Sequence, residues 1–249
     1  TNYCGWQKQT NALTVQEILN EKLSKLLQNE TDVVGAGRTD SGVHASLYYA
    51  HFDSNNTIED CKRMIFSLNK MLPEDIVIYD IFRVANEAHA RYDATSRTYH
   101  YYIETKKNPF TNRFMSYRYI PLDFNLMNEA AKHLIRISDF SSFCKVGSDN
   151  KTNVCKVTEA EWHKITDYQY YFKISADRFL RNMVRAIVGT LFDIGEKKIT
   201  IDDFLSIIDS HDRSNAGESV ESKGLFLTNV KYLFVKERDN VTTNFFEIF

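Results

Sequence analysis

Three prolines, nine glycines, four cysteines and two tryptophans are few for a chain of 249 residues. So little Gly and Pro excludes a collagen-like or linker-dominated polypeptide. No apolar run approaches the ~20 residues needed to span a bilayer, and no basic-then-apolar leader opens the chain. Cys4, Cys61, Cys144 and Cys155 are widely scattered and form no C-x-x-C pair, which gives no hint of a zinc knuckle or a thioredoxin-like redox site. They read as free thiols in a reducing, cytoplasmic compartment. Charge of one sign is also missing: 31 Lys and Arg stand against 33 Asp and Glu, a net charge of −2. That balance argues against a wholesale basic nucleic-acid binder. What the chain does have is 43% hydrophobic and 26% charged residues, the composition of a globular protein rather than a disordered one.

Hydrophobic periodicity supplies the elements. Thr14-Val15-Gln16-Glu17 has the form of a capping box, and Val15, Ile18, Leu19, Leu23, Leu26 and Leu27 follow at helical spacing, predicting a helix over 14–28. Short strands are expected at Thr31–Val34 and Ser46–Phe52. A second helix is expected to start from a Thr57 cap, carry Cys61, Met64, Ile65, Leu68 and Leu72, and stop at Pro73. A strand then follows at Ile76–Val84. Farther on, Tyr99–Glu104 reads as a strand, Asp123–Ile137 as a helix, and Val154–His163 with Tyr168–Ser175 as a hairpin. Residues 178–195 read as a helix with Gly195 at C′, Thr200 caps a further helix, and Gly224–Val235 is a closing strand. Helices interleaved with hairpins imply an α+β fold, with helices on one face of mainly antiparallel sheet. Two similar halves, 1–86 and 87–249, are expected.

The most unusual stretch is Gly35-Ala36-Gly37-Arg38-Thr39-Asp40-Ser41-Gly42-Val43-His44-Ala45, which holds three of the nine glycines. Glycine permits positive φ and close backbone approach, so this is a tightly bent loop displaying an acid and two potential cations. A plain β-turn whose Asp satisfies local amides is the simpler alternative. A metal site lacks further ligands nearby, and a phosphate cradle lacks the P-loop Lys and Ser/Thr spacing.

This segment resembles the signature of the TruA family of tRNA pseudouridine synthases, and the similarity continues along the chain. Gly5-Trp6-Gln7-Lys8-Gln9 with Thr14-Val15-Gln16 resembles the family's opening. Leu72-Pro73, Asp75-Ile76, His89-Ala90-Arg91-Tyr92 and Arg97-Thr98-Tyr99 resemble its middle. Phe179 through Met183-Val184-Arg185 to Val188-Gly189 resembles its third motif, and Arg213, Ala216-Gly217 and Gly224-Leu225 its C-terminal loop and strand. The chain departs from the family with Leu47-Tyr48 in place of Gly-Gln, and with no Pro near Glu221. The strand and the Asp-Gly pair that precede Gly-Trp-Gln in the family have no counterpart here.

The resemblance implies two ferredoxin-like halves with the active-site cleft between them. It also implies a homodimer acting on tRNA, and conversion of uridine to pseudouridine in the anticodon stem-loop at tRNA positions 38, 39 and 40. Neither cofactor nor metal is implied, since the reaction detaches uracil from C1′ and rejoins it through C5. Asp40 is implied as the catalytic carboxylate. Attack on the ribose, attack on the base and abstraction of a sugar proton all remain open to it. Arg185 resembles the Arg that pairs with this Asp. It lies in the apolar turn Met183–Ile187, where an unpaired charge is costly, whereas Arg178 and Arg181 read as solvated helix residues. Tyr99 resembles the active-site Tyr that holds the flipped base, although a core Tyr beside Tyr101 is the competing reading. Arg38 is implied to occupy the space the base vacates, and His44 to support the loop by hydrogen bonding. Phe179 is a candidate wall of the uracil pocket or a core residue. Lys8, Arg91 and Arg97, with His89, are candidate phosphate contacts or plain surface. A non-catalytic RNA-binding or RNA-folding protein on the same fold is the rival; an Asp-nucleophile hydrolase lacks a second carboxylate or base at the loop. With acids such as Glu17, Glu21, Asp202 and Asp203 on outward helix positions, a basic cleft with acidic backs is expected.

Overall fold

A computed structural model describes residues 2–54 and 57–235; Thr1 and residues 236–249, the extreme ends of the two expected halves, lie outside the described residues. The chain divides into two compact units, Thr1–Gly42 with Tyr48–Ala94, and Val43–Leu47 with Thr95–Phe249. The short segment 43–47 therefore leaves the sequence neighbourhood of the glycine-rich loop and joins the second unit.

In the first unit, helix α1 (Val15–Leu27) starts where Thr14 Oγ1 accepts the Glu17 amide, and it buries Ile18, Leu19 and Leu23. Helix α2 (Cys61–Met71) faces it with Met64 and Leu68, and Trp6, Val33 and Leu72 complete an apolar cluster. The cap of α2 is Asp60, not the expected Thr57: its Oδ1 accepts the Arg63 amide at 2.9 Å. A carboxylate next to the first periodic residue both satisfies that amide and meets the positive end of the helix. Strands β1 (Val34–Gly35) and β3 (Ala50–His51) pair antiparallel, with Val34 opposite His51.

The strand expected at Ile76–Val84 is not formed. That segment is non-regular, with Ile76, Ile78 and Ile81 packed on the cluster and Val77, Tyr79 and Phe82 exposed. Its alternation is that of a half-buried strand, but a side chain occupies its backbone. Asn69 takes the Ile78 amide on Oδ1 at 2.8 Å and donates Nδ2 to the Ile78 carbonyl at 2.9 Å. One carboxamide thus stands where a ladder neighbour would be.

The second unit is built on a six-stranded mixed sheet ordered β2 (His44–Ala45), β8 (Leu225–Tyr232), β4 (Ala94–Glu104), β7 (Gln169–Ala176) and β6 (Val157–Lys164), with β5 (Ser116–Tyr117) on the end of β4. β2–β8 and β4–β5 are parallel, whereas β4–β7 and the β6–β7 hairpin are antiparallel. Alternation along β4 and β7 sends Tyr101, Ile103, Phe172 and Ile174 into one core. Helices α3 (Phe124–Ala131), α4 (Met183–Gly195) and α5 (Ile201–Asp209) contribute Met127, Ile187, Leu191 and Phe204 to it. The fold is α+β, as its pattern of elements implies.

Helix α4 begins five residues later than the expected 178, because Asn182 sits in the left-handed region at φ 66° and breaks the run before Met183. Its end also differs. Gly195 lies inside the helix, and the left-handed residue beyond it is Lys197 at φ 60°. Helix α5 has the Thr200 cap the sequence predicts, completed as a capping box by Asp203.

The packing sets a hierarchy of stabilities. Phe172→Ala removes a fully buried ring and is expected to destabilise the second unit by about 3–5 kcal/mol. Thr200→Ala removes only a cap and costs about 1 kcal/mol. Urea unfolding of both variants, followed by far-ultraviolet circular dichroism, checks the ratio.

Candidate functional site

The glycine-rich loop leaves β1 at Gly35 and is fixed by its main chain on two sides. On one side stands Tyr48. Its hydroxyl receives the Gly37 amide at 3.3 Å and donates to the Gly37 carbonyl. Its ring stacks on Trp6 at 4.3 Å. Gly35 lies so close under this pair that an added Cβ would come within 2.2 Å of the Tyr48 hydroxyl. On the other side runs the N-terminal segment. Gly5, at φ 82°, packs against the Thr39 carbonyl, and a Cβ there would sit 2.1 Å from that oxygen. Ser41 Oγ donates to the Tyr3 carbonyl at 3.4 Å. The Tyr3 hydroxyl in turn donates to Asp75, and burial together with that carboxylate pushes its pKa up.

Between these anchors stand Arg38, exposed, and Asp40, half-buried, two residues before the chain passes into the second unit. An immobilised main chain fixes the point from which the Asp40 side chain projects before any substrate arrives, and such pre-organisation serves nucleophilic or proton-transfer chemistry.

The other candidates of the first unit are superficial. Lys8 is exposed, with its amide on Gln16 Oε1 at 2.8 Å. Arg91 is exposed and lies 5.8 Å from the Tyr92 ring. His89 organises that turn: its Nδ1 accepts the Arg91 and Tyr92 amides at 3.1 and 3.3 Å, and its own amide donates to Asp93 at 2.7 Å.

In the second unit, Tyr99 on β4 lies opposite Ile174 of β7, and its ring meets the face of Phe179 edge-on at 5.1 Å. The structure thus brings Tyr99 and Phe179 together, both half-buried beside the core. Arg97 donates Nη1 to the Asp177 carbonyl at 2.8 Å. Arg185 is half-buried on α4 and donates Nε to the Val220 carbonyl at 2.7 Å. His44, on β2, is stacked on Phe226 at 4.5 Å and lies 5.3 Å from Phe114. Burial lowers its pKa to about 4, so at neutral pH it is an uncharged packing ring. His100, on β4, is pushed down to about 4 for the same reason.

Four residues important to this geometry carry no role in the sequence reading: Gly5, Trp6 and Ser41, which lie inside its motifs, and Tyr48. The last lies where the chain departs from the family pattern, and that departure was the available signal. Among the described residues, no group of three or more His, Cys, Asp or Glu side chains is gathered as metal ligands. No helix there is long and apolar enough to cross a membrane.

Comparison with known proteins gives one consistent result. A family model described as tRNA pseudouridine synthase matches residues 1–93 and 130–233. Among curated proteins, tRNA pseudouridine synthase A of Bacteroides fragilis is 51% identical over 232 residues, covering 93% of this chain and 92% of that protein. The protein of the same name from Porphyromonas gingivalis is 51% identical, with 93% of both chains covered. That of Clostridium acetobutylicum is 40% identical over 93% of this chain and 95% of its own.

His44 and His100, with His51 depressed in the same direction, set a pH dependence. The first two stay neutral in the folded protein down to about pH 4, whereas unfolded histidine protonates near 6.5. The unfolded state therefore binds more protons below 6.5. Stability is full above that pH and is lost as pH falls from 6.5 toward 4. Urea midpoints across this range are expected to drop, and the His44 Cε1–H resonance to stay unshifted until below pH 5.

Proposed function

The chain belongs to the tRNA pseudouridine synthase family, and we propose that it isomerises uridine to pseudouridine in the anticodon stem-loop of tRNA, with Asp40 as the catalytic carboxylate. The observation that carries this reading is the double anchoring of the Asp40 loop, by Gly5 against Thr39 and by Tyr48 on Gly37. The relatives' printed name supports the substrate class.

In the reaction the N1–C1′ bond of uridine breaks and a C5–C1′ bond forms. The proton on C5 leaves and N1 takes one up. Nothing is oxidised or reduced, so the protein's own groups suffice. Asp40 carries the covalent or proton-transfer step. Arg185 is the cation that pairs with the carboxylate, since a guanidinium stays charged and presents a planar fork of donors to it. Tyr99, with its ring against Phe179, offers an aromatic face for the base once it has left its stack, and Arg38 fills the space left behind. Lys8, Arg91 and Arg97 neutralise phosphate. A cytoplasmic homodimer is the form in which the enzyme works.

The rival, an RNA-binding protein without catalysis, is separated by one assay. With tRNA tritiated at uridine C5, the wild type is expected to release tritium, and Asp40→Ala to release none while still retaining tRNA on filters. Arg185→Met is expected to slow release by about 10²-fold or more. Binding without release by the wild type would sink the enzymatic reading.

A further inference from the structure

We infer that residues 213–221 form a strap along helix α4 that positions Arg185, and that Ser219 and Gly189 are the positioning residues through which it acts. The inference rests on the reading that Arg185 serves the reaction.

The strap runs antiparallel to the helix and touches it at every step. The Gly217 amide donates to Thr190 Oγ1 at 3.0 Å, and that hydroxyl donates to the Ala186 carbonyl one turn back. Glu218 presents its carbonyl to Gly189, where a Cβ would lie 1.8 Å from the oxygen. Gly217 is also tight, with its own Cβ position 2.5 Å from Asp193 Oδ2 and 2.9 Å from the Thr190 amide nitrogen. Two main chains are therefore in direct contact, which only glycine on both sides allows. Val220 then closes a reciprocal pair with Arg185: its amide donates to the Arg185 carbonyl at 3.2 Å, and its carbonyl accepts Arg185 Nε at 2.7 Å.

This second bond decides what the guanidinium can do. With Nε engaged by the strap, the plane of the fork is fixed and its Nε edge is occupied. A carboxylate must then be met by the Nη end. The strap itself is fixed at Ser219, whose Oγ accepts from both Arg213 Nη2, at 2.9 Å, and Asn182 Nδ2. Arg213 also donates Nη1 to the Ala216 carbonyl at 3.2 Å. Asn182 is the left-handed residue from which α4 starts. One hydroxyl thus ties the strap to the first turn of the helix, three residues from Arg185. At the far end the Tyr101 hydroxyl holds the Glu221 carbonyl at 3.0 Å.

Ser219→Ala removes the shared acceptor without touching Arg185, and Ser219→Thr keeps it. Ser219→Ala is expected to lower kcat for tritium release by about tenfold with KM little changed, and Ser219→Thr to restore it. The Nε–H resonance of Arg185, identified by its loss in Arg185→Lys, is expected to move toward the position of a solvated guanidinium in Ser219→Ala and to stay put in Ser219→Thr. Gly189→Ala is expected to move it in the same direction, because its methyl displaces Glu218. An unmoved resonance in both Ser219→Ala and Gly189→Ala overturns the proposal. So does a kcat loss from Ser219→Ala that recurs in full in the Arg185→Lys background, since the strap would then act by another route. Full activity of Arg185→Lys and Arg185→Met alone would instead remove Arg185 from the reaction, while the resonance would still report whether the strap holds it.

Discussion

A helix buried on nearly all sides has few exits for charge, and α4 is such a helix. Eleven of its 13 residues are buried, and the two that are not are Arg185 and Asp193. Two turns separate them, with Gly189 midway, so the three form one stripe along the helix. Met183, Val184, Ala186, Ile187, Val188, Leu191, Phe192 and Ile194 are committed to the core with Phe172, Ile174 and Leu134. The core therefore fixes the helix backbone from which Arg185 projects, and the strap holds its Nε through the Val220 carbonyl.

The same device holds the other reactive candidate. Around Asp40 it is the main chain that is fixed. Gly5 against the Thr39 carbonyl and Tyr48 across Gly37 leave the loop backbone one course. The rare glycines at positions 5, 35, 189 and 217 serve close packing of this kind: a chain with only nine glycines places these four where another backbone or ring comes close.

The elements with strong local signals were legible from sequence. Helices α1 and α5, the β6–β7 hairpin and the α+β class follow from periodicity and capping residues that agree with one another. Three kinds of feature were not. The Ile76–Val84 segment has the alternation of a strand, but a ladder needs a partner, and pattern does not reveal that Asn69 takes that place. The start of α4 is set by the left-handed Asn182, held by Ser219 from 37 residues away, and no window around residue 182 contains that contact. The assignment of Val43–Leu47 to the second unit depends on parallel pairing of His44 with Phe226, a contact between segments far apart in sequence. In the site, motif types pointed to the residues that would carry charge, whereas the residues that hold them, Tyr48, Gly5 and Ser219, are ordinary in type and gain meaning only from distance.

The net charge of −2 illustrates why averages mislead for a protein of this class. Phosphate recognition depends on how many cations a nucleic acid meets, and each adds to the salt dependence of binding regardless of charge elsewhere. Some of the acidic content is matched locally. Glu21 pairs with Lys22, Glu159 with Lys173, Asp167 with Lys164, and Glu196 with both Arg118 and Lys198. Paired charges a few ångströms apart present little field at the distance of a phosphate beyond a Debye length. They cancel in the sum over the sequence as they do in the field, so attraction of RNA depends on where the remaining charges lie. A near-neutral total is therefore compatible with a strongly cationic site, and the sign of the whole carries no argument against an RNA substrate.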